Sequence, residues 1–257
     1  ERLVDRERRF TDDVAFALRT PLTVMEAGLH HPGETPEDRR ETLRHVGAEA
    51  TRVRGLVDDL VTLARLQQDD VVLERRRVDL GVLVSTGARA WHDRLPDDDA
   101  GLLLDLDAPE DGAQLLADTD PGRLVQVLEE ALDNARHAVR HAPGTDRPRD
   151  PASLAPLDRT LSVHVRAEDR DGDPWAVVEV TDRGRGVPEN EREEVFERLS
   201  HASNDPLPGN GLGLPVASRI AAALGGVLTL EGGPGGVGTT VRLALPLVDE
   251  AEADAEA

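Results

Sequence analysis

Between Val46 and Ala64 apolar residues recur at spacings of four, three, four, three and four, through Ala50, Val53, Val57 and Leu60. That repeat is the seam of a helix lying along another helix, and it excludes a strand, whose faces alternate every second residue. The seam is preceded by a helix start: Thr35 suits the N-cap, Pro36 the first helical position, and Glu37 and Asp38 the first turn. Upstream, Phe10, Val14, Leu18, Met25 and Leu29 form one apolar stripe that stops at His31-Pro32-Gly33. Residues 1–70 therefore predict an antiparallel helical hairpin. Two helices bury little alone, so a second copy is expected to complete a four-helix bundle. The alternative is packing on the chain's own C-terminal region.

The pattern changes after residue 70. Residues 71–79 (VVLERRRVD) read as a linker and 80–94 as a helix. Strands are predicted at 101–107 and 113–118, and a helix at 121–142 with Pro121 near its start. A Pro- and Asp-rich stretch, 143–158, reads as a loop. Strands at 160–168 and 174–182, a short helix at 190–198, a Gly-rich loop, a helix at 212–224 and strands at 226–231 and 238–246 follow. Helices against a mixed or antiparallel sheet make an α+β fold, here an α/β sandwich over 80–247. Residues 248–257 are an acidic tail expected to be disordered.

Charge narrows the function classes. The chain of 257 residues carries 51 acids against 30 bases, a net charge of −21. Such a field repels nucleic-acid backbones and anionic membrane surfaces. No cysteine is present, which excludes disulfides, thiolate metal sites and a Cys nucleophile. No apolar run approaches the roughly 20 residues of a membrane span.

Four segments of the second region bear on nucleotide chemistry. Glu130 and Asn134 lie one helical turn apart, a carboxylate and a carboxamide suited to a hard cation such as Mg²⁺. TDRGRG ends a strand with Asp182, which can accept a hydrogen bond from an exocyclic amine, and with Gly184 and Gly186, which allow close backbone approach. GNGLGL sets Gly209, Gly211 and Gly213 before a helix, where exposed amides favour phosphate. GGVGTT holds Thr239 at the start of the last strand. The glycine loop is not a P-loop, since all 30 basic residues are Arg.

In this order, together with VFERL at 195–199, the segments resemble the ATP-binding domain of sensor histidine kinases, of the superfamily shared with gyrase, heat-shock chaperone and mismatch-repair ATPases. RRFTDDVAFALRTPLTVMEAGL and LVDDLVTLARL resemble the two helices of the same kinases' phosphoacceptor hairpin. The resemblance implies ATP and Mg²⁺ as cofactors, with Asn134 ligating the metal and Glu130 beside it. It implies Asp182 on the adenine amine, Gly184 and Gly186 making room for the ring, and Thr239 nearby. Gly209, Gly211 and Gly213 would end a lid over the phosphates, with Phe196 and Arg198 in its hinge segment. Implied partners are a second copy, or an intact kinase as heterodimer, and the receiver domain of a response regulator. The implied location is cytoplasmic, as part of an inner-membrane sensor.

The first helix departs from the family pattern of His, acid, Leu-Arg-Thr-Pro: it reads Phe16-Ala17-Leu18-Arg19-Thr20-Pro21. Phenylalanine has no nucleophilic atom and Ala17 no carboxylate, so phosphorylation at this position is chemically impossible. Thr20, whose counterpart in the family assists dephosphorylation of the partner, lacks its acidic neighbour. Phe16 lies about 200° around the helix from Val14 and is expected to be exposed. His30, His31 and His45 lack the acceptor surround. The expectation is an ATP-binding chain that has lost self-phosphorylation. Phosphorylation of a partner's histidine in trans, and a docking scaffold without catalysis, are the alternatives.

Overall fold

The computed structural model describes residues 2–67, 72–96, 99, 101–108, 114–140, 159–196 and 211–248, leaving aside the side chains of 2–13, 16 and 65–67. Helices α1 (Arg2–His30) and α2 (Pro36–Gln67) form the hairpin. The turn is closed by a reciprocal cap: the Thr35 amide donates to Asp38 Oδ2 at 3.0 Å and the Asp38 amide to Thr35 Oγ1 at 3.1 Å. Gly28 lets the helices approach, since a Cβ there would press on Val46 and Thr42.

The packed stripe is rotated from the predicted one. Val46, Glu49, Val53, Leu56, Leu60 and Leu63 are buried or half-buried, whereas Ala50, Val57 and Ala64 of the expected seam are exposed. On α1, Leu29 is also exposed and Pro21 is buried in its stead. The buried side of α2 lies against the second region: Leu56 and Leu63 join its hydrophobic core, as do Ala17 and Leu18 of α1.

Residues 76–79, inside the expected linker, are a strand. β1 (Arg76–Asp79) pairs antiparallel with β3 (Leu116–Thr119). The charged run RRRVD conceals it, because only Val78 and Asp79 are even half-buried. Arg75 explains the hold just before it: its guanidinium donates to the carbonyls of Asp118 (3.0 Å), Ala223 (3.0 Å) and Leu224 (3.4 Å). Asp79 then caps α3 (Leu80–Asp93), accepting from the Gly81 and Val82 amides.

The main sheet has five strands in the order β2 (Leu103–Asp107), β4 (Thr160–Arg170), β5 (Asp173–Thr181), β7 (Thr239–Pro246) and β6 (Val227–Gly232). β2 and β4 are parallel and the other pairs antiparallel. Leu161, Val163 and Val165 of β4 alternate inward with Ala176, Val178 and Val180 of β5 and Val241, Leu243 and Leu245 of β7. They pack under α3, α4 (Pro121–Arg140) and α5 (Gly213–Ala223). The other face is polar. Its arginines are ion-paired: Arg166 with Glu168 and Glu179 at 2.8 Å, and Arg242 with the same two carboxylates. The architecture is the expected α+β one. The predicted helix at 190–198 is instead two 3₁₀ turns, Glu189–Glu191 and Glu194–Phe196, in a segment with Pro188 at its start and four Glu among residues 189–194. The 143–158 loop and the 249–257 portion of the tail lie outside the described residues. Val248, the first tail residue, donates its amide to the Leu116 carbonyl.

Candidate nucleotide site

α4 runs past both glycine segments, meeting Gly184 at Ala138 and Gly213 at Glu130. Its Ala138 touches the β5 end and its Glu130 the α5 end, eight residues or roughly 12 Å apart at the helical rise, with Asn134 midway. That length suits a ligand with a ring at one end and phosphates at the other.

At the first end, β5 delivers Asp182, which is 1% exposed. Its Oδ1 accepts the Gly184 amide at 2.7 Å, and its own amide donates to the Thr239 carbonyl at 2.9 Å. Burial pushes the carboxyl up to about 6, against the pull of the Gly184 and Thr239 backbones. Gly184 is required because a Cβ would lie 2.6 Å from the Ala138 carbonyl. Gly186 has φ +73° and faces the Gly238 carbonyl. Gly238 (φ +77°) passes so close that a Cβ would collide with the Asp182 carbonyl. Thr239, 2% exposed, completes this end. Sequence reasoning did not single out Gly238. Its signal was present in GGVGTT but indistinguishable from that of a hairpin turn.

At the other end, α5 begins at Gly213. The residue before it, Leu212, gives no side-chain cap, no acid sits in the first turn, and Gly211 turns the chain with φ +65°. Among the described residues no side chain caps the first amides of α5, a position that favours an anion. Glu130 lies beside Gly213, where a Cβ would collide with its carboxylate. Burial pushes Glu130 up to about 8, followed by the charges of Asp59, Asp133 and Glu129. Asp133 is also raised, chiefly by burial, although Trp91 Nε1 donates to it at 3.2 Å. Arg94 pairs with Glu129, and Arg136 with Asp133 at 3.2 Å and with the buried Asp99 at 3.1 Å.

Glu130, half-buried and pushed up by burial first and then by the charges of Asp59, Asp133 and Glu129, stands one helical turn from the half-buried Asn134; among the described residues no group of three or more His, Asp or Glu gathers to hold a metal ion, so the chain's own donors supply only part of a cation's shell. Asp59, which contributes most among those three charges, belongs to the hairpin and had no signal in the sequence beyond one acid of an Asp-Asp pair.

Phe196 is half-buried beside the buried Val195, in the 3₁₀ turn that touches α5. Arg198 and Gly209 lie outside the described residues. Phe16 and Ala17 lie on α1, where Ala17 is half-buried; the Phe16 side chain is outside the described ones. Thr20 is exposed on the same helix. A groove of about 560 Å³ on the polar sheet face, lined by Arg166, Glu179 and His164 among others, is separate from this cleft.

Residues 119–249 match the family described as Histidine kinase-, DNA gyrase B-, and HSP90-like ATPase. "Sensor histidine kinase MtrB" of Mycobacterium leprae is 32% identical over 94% of this chain and 40% of its own length. "Probable sensor histidine kinase TcrY" of Mycobacterium tuberculosis is 31% identical over 93% of this chain and 46% of its own. The chain therefore spans less than half the length of these two relatives. Among solved structures, full-length ShkA in complex with AMPPNP shares the fold at TM-score 0.56 and 23% identity, covering 94% of this chain and 46% of that one. The Acinetobacter baumannii histidine kinase AdeS does so at 0.56 and 22%, covering 90% and 98%.

Proposed function

This chain belongs to the histidine kinase-, DNA gyrase B- and HSP90-like ATPase family as a sensor histidine kinase, and on that premise we propose that it binds Mg-ATP in the α4 cleft while having lost phosphoryl transfer to its own first helix. The observation that carries the reading is the cleft's two-ended chemistry. A buried carboxylate among glycines stands at one end, and an uncapped helix start beside Glu130 and Asn134 at the other.

Asp182 accepts a hydrogen bond from the adenine amino group, Gly184 and Gly186 make room for the ring, and Thr239 lies beside it. The amides of Gly211 and Gly213, with Gly209 before them, receive the phosphates. Phe196 and Arg198 belong to the hinge of the segment that covers them. Asn134 and Glu130 are the residues that would hold the cation. Magnesium, when bound, neutralises phosphate charge and orients the γ-phosphoryl group, so the work left to the protein is positioning.

Phe16 offers no nucleophile and Ala17 no group to manage a proton. Thr20 without an acidic neighbour is a weak candidate for assisting dephosphorylation of a partner. The chain thus signals as an ATP-binding pseudokinase. It pairs through its hairpin with a second copy or with an intact kinase, and it addresses the receiver domain of a response regulator. Residues 1–70 form the pairing unit, 80–247 the nucleotide-binding unit, and the whole is the cytoplasmic part of a membrane sensor.

Incubation with γ-labelled Mg-ATP tests the transfer. No label is expected on the chain, and acid-labile label is expected on Phe16→His/Ala17→Glu. Label on the unaltered chain would overturn the loss of self-transfer. Label on an added hairpin with the intact His-acid-Leu-Arg-Thr-Pro motif would establish the in-trans alternative.

A further inference from the structure

The last carbonyls of α5 can be followed one by one. The amides of Leu224, Gly225 and Gly226 donate to the carbonyls of Ile220, Ala222 and Ala221, the pairing of a Schellman turn with Gly225 at φ +83°. The carbonyls of Ala223 and Leu224 are taken by Arg75, whose guanidinium donates to them at 3.0 and 3.4 Å and to the Asp118 carbonyl of β3 at 3.0 Å. Arg75 is exposed, so what it contributes is geometry rather than burial. Beside it, the Glu74 amide donates to Asp120 Oδ2 at 3.0 Å, while Asp120 Oδ1 accepts the Arg123 amide in the first turn of α4 at 3.1 Å. Two consecutive residues thus fasten the end of α5 and the start of α4. The other end of α5, about 16 Å away at the helical rise, is Gly213 beside Glu130 of α4. Between these points the two helices pack on each other in opposite directions.

We propose that Arg75 is a positioning residue of the phosphate end of the nucleotide site: by holding the end of α5 against β3, beside the Glu74 tie to α4, it sets where the first amides of α5 stand. The inference rests on the Mg-ATP reading above, in which those amides receive the phosphates. A rod released at one end can tilt or slide along its neighbour, and the other end then loses its place. The effect is confined to phosphates, because the Asp182 end is built from β5, the turn through Gly184 and Gly186, and the start of β7. Linkage is reciprocal, so phosphates that bind better to the clamped helix tighten the clamp by the same factor.

The test compares two ligands, Mg-AMPPNP by calorimetry and adenosine by NMR titration, on the full chain and on Arg75→Ala, Arg75→Lys and Arg76→Ala. Arg75→Ala should weaken Mg-AMPPNP by roughly fivefold or more and leave adenosine unchanged. Arg75→Lys keeps the charge but not the planar fork, and should fall between the parent and Arg75→Ala. Arg76→Ala removes the same charge one residue along and should change neither affinity. Equal weakening of both ligands by Arg75→Ala would show a merely structural role and overturn the proposal. The same loss in Arg76→Ala would reduce it to net charge and overturn it too, as would no loss at all. Absence of Mg-AMPPNP binding by the unaltered chain would remove the underlying site as well. Hydrogen exchange on the unaltered chain needs no variant to fold. Mg-AMPPNP should slow exchange of the Leu224, Gly225 and Gly226 amides and adenosine should not; equal responses to the two ligands would also overturn the proposal.

Discussion

Asp182 shows how one buried carboxylate costs stability. Its carboxyl is held near 6 by burial, against 3.8 in an unstructured chain. Between about pH 4 and 6 the native state therefore keeps a proton that the unfolded state has released, so stability falls as pH rises through that window. Asp182→Asn should raise stability at pH 8 by up to about 3 kcal/mol, the equivalent of roughly two pKa units. The gain should vanish by about pH 4, and urea unfolding at the two pH values measures it. A gain independent of pH would mean that the charge is not the cost. Gly184 and Gly238 beside Asp182 admit close backbone contacts that any side chain would block.

Among elements, α5 ties distant parts of the chain together: its N-terminus faces Glu130, its side meets α2, and its C-terminus is held by Arg75. A guanidinium on the last carbonyls of a helix satisfies orphan acceptors and complements the helix dipole. Arg75→Ala should cost about 1–2 kcal/mol of stability, whereas Arg76→Ala, whose side chain is exposed on β1, should cost little. Equal effects in thermal unfolding would deny the clamp. Arg75 also shows where the sequence stopped being legible. The glycine loops, the caps at Thr35 and Pro121 and the alternation of β4, β5 and β7 are local patterns, and each was readable to within a residue or two. β1 and its clamp depend on partners 43 and 149 residues away along the chain, and no local pattern reports them. The expected seam on α2 was misplaced because two apolar stripes run side by side, and periodicity alone does not say which faces the chain's own core.

At the scale of the molecule, the stripe left outside is informative. Leu43, Ala50, Val57 and Ala64 on α2 recur every seven residues and are exposed, as are Leu22 and Leu29 on α1. A second hairpin laid along them would complete the four-helix bundle. Sedimentation velocity should show a dimer, and Leu43→Arg/Val57→Arg a folded monomer with unchanged helicity; a monomeric parent would contradict the pairing. Within one chain α2 already packs against α5, so the proposed pairing surface and the proposed nucleotide site would share that helix's neighbourhood. The account as a whole rests on that cleft being a working site. Its most direct test is calorimetry of Mg-ATP on the purified chain beside Asn134→Ala and Asp182→Asn. The account predicts micromolar binding that both substitutions abolish or weaken severely, and the absence of binding at millimolar Mg-ATP would contradict it.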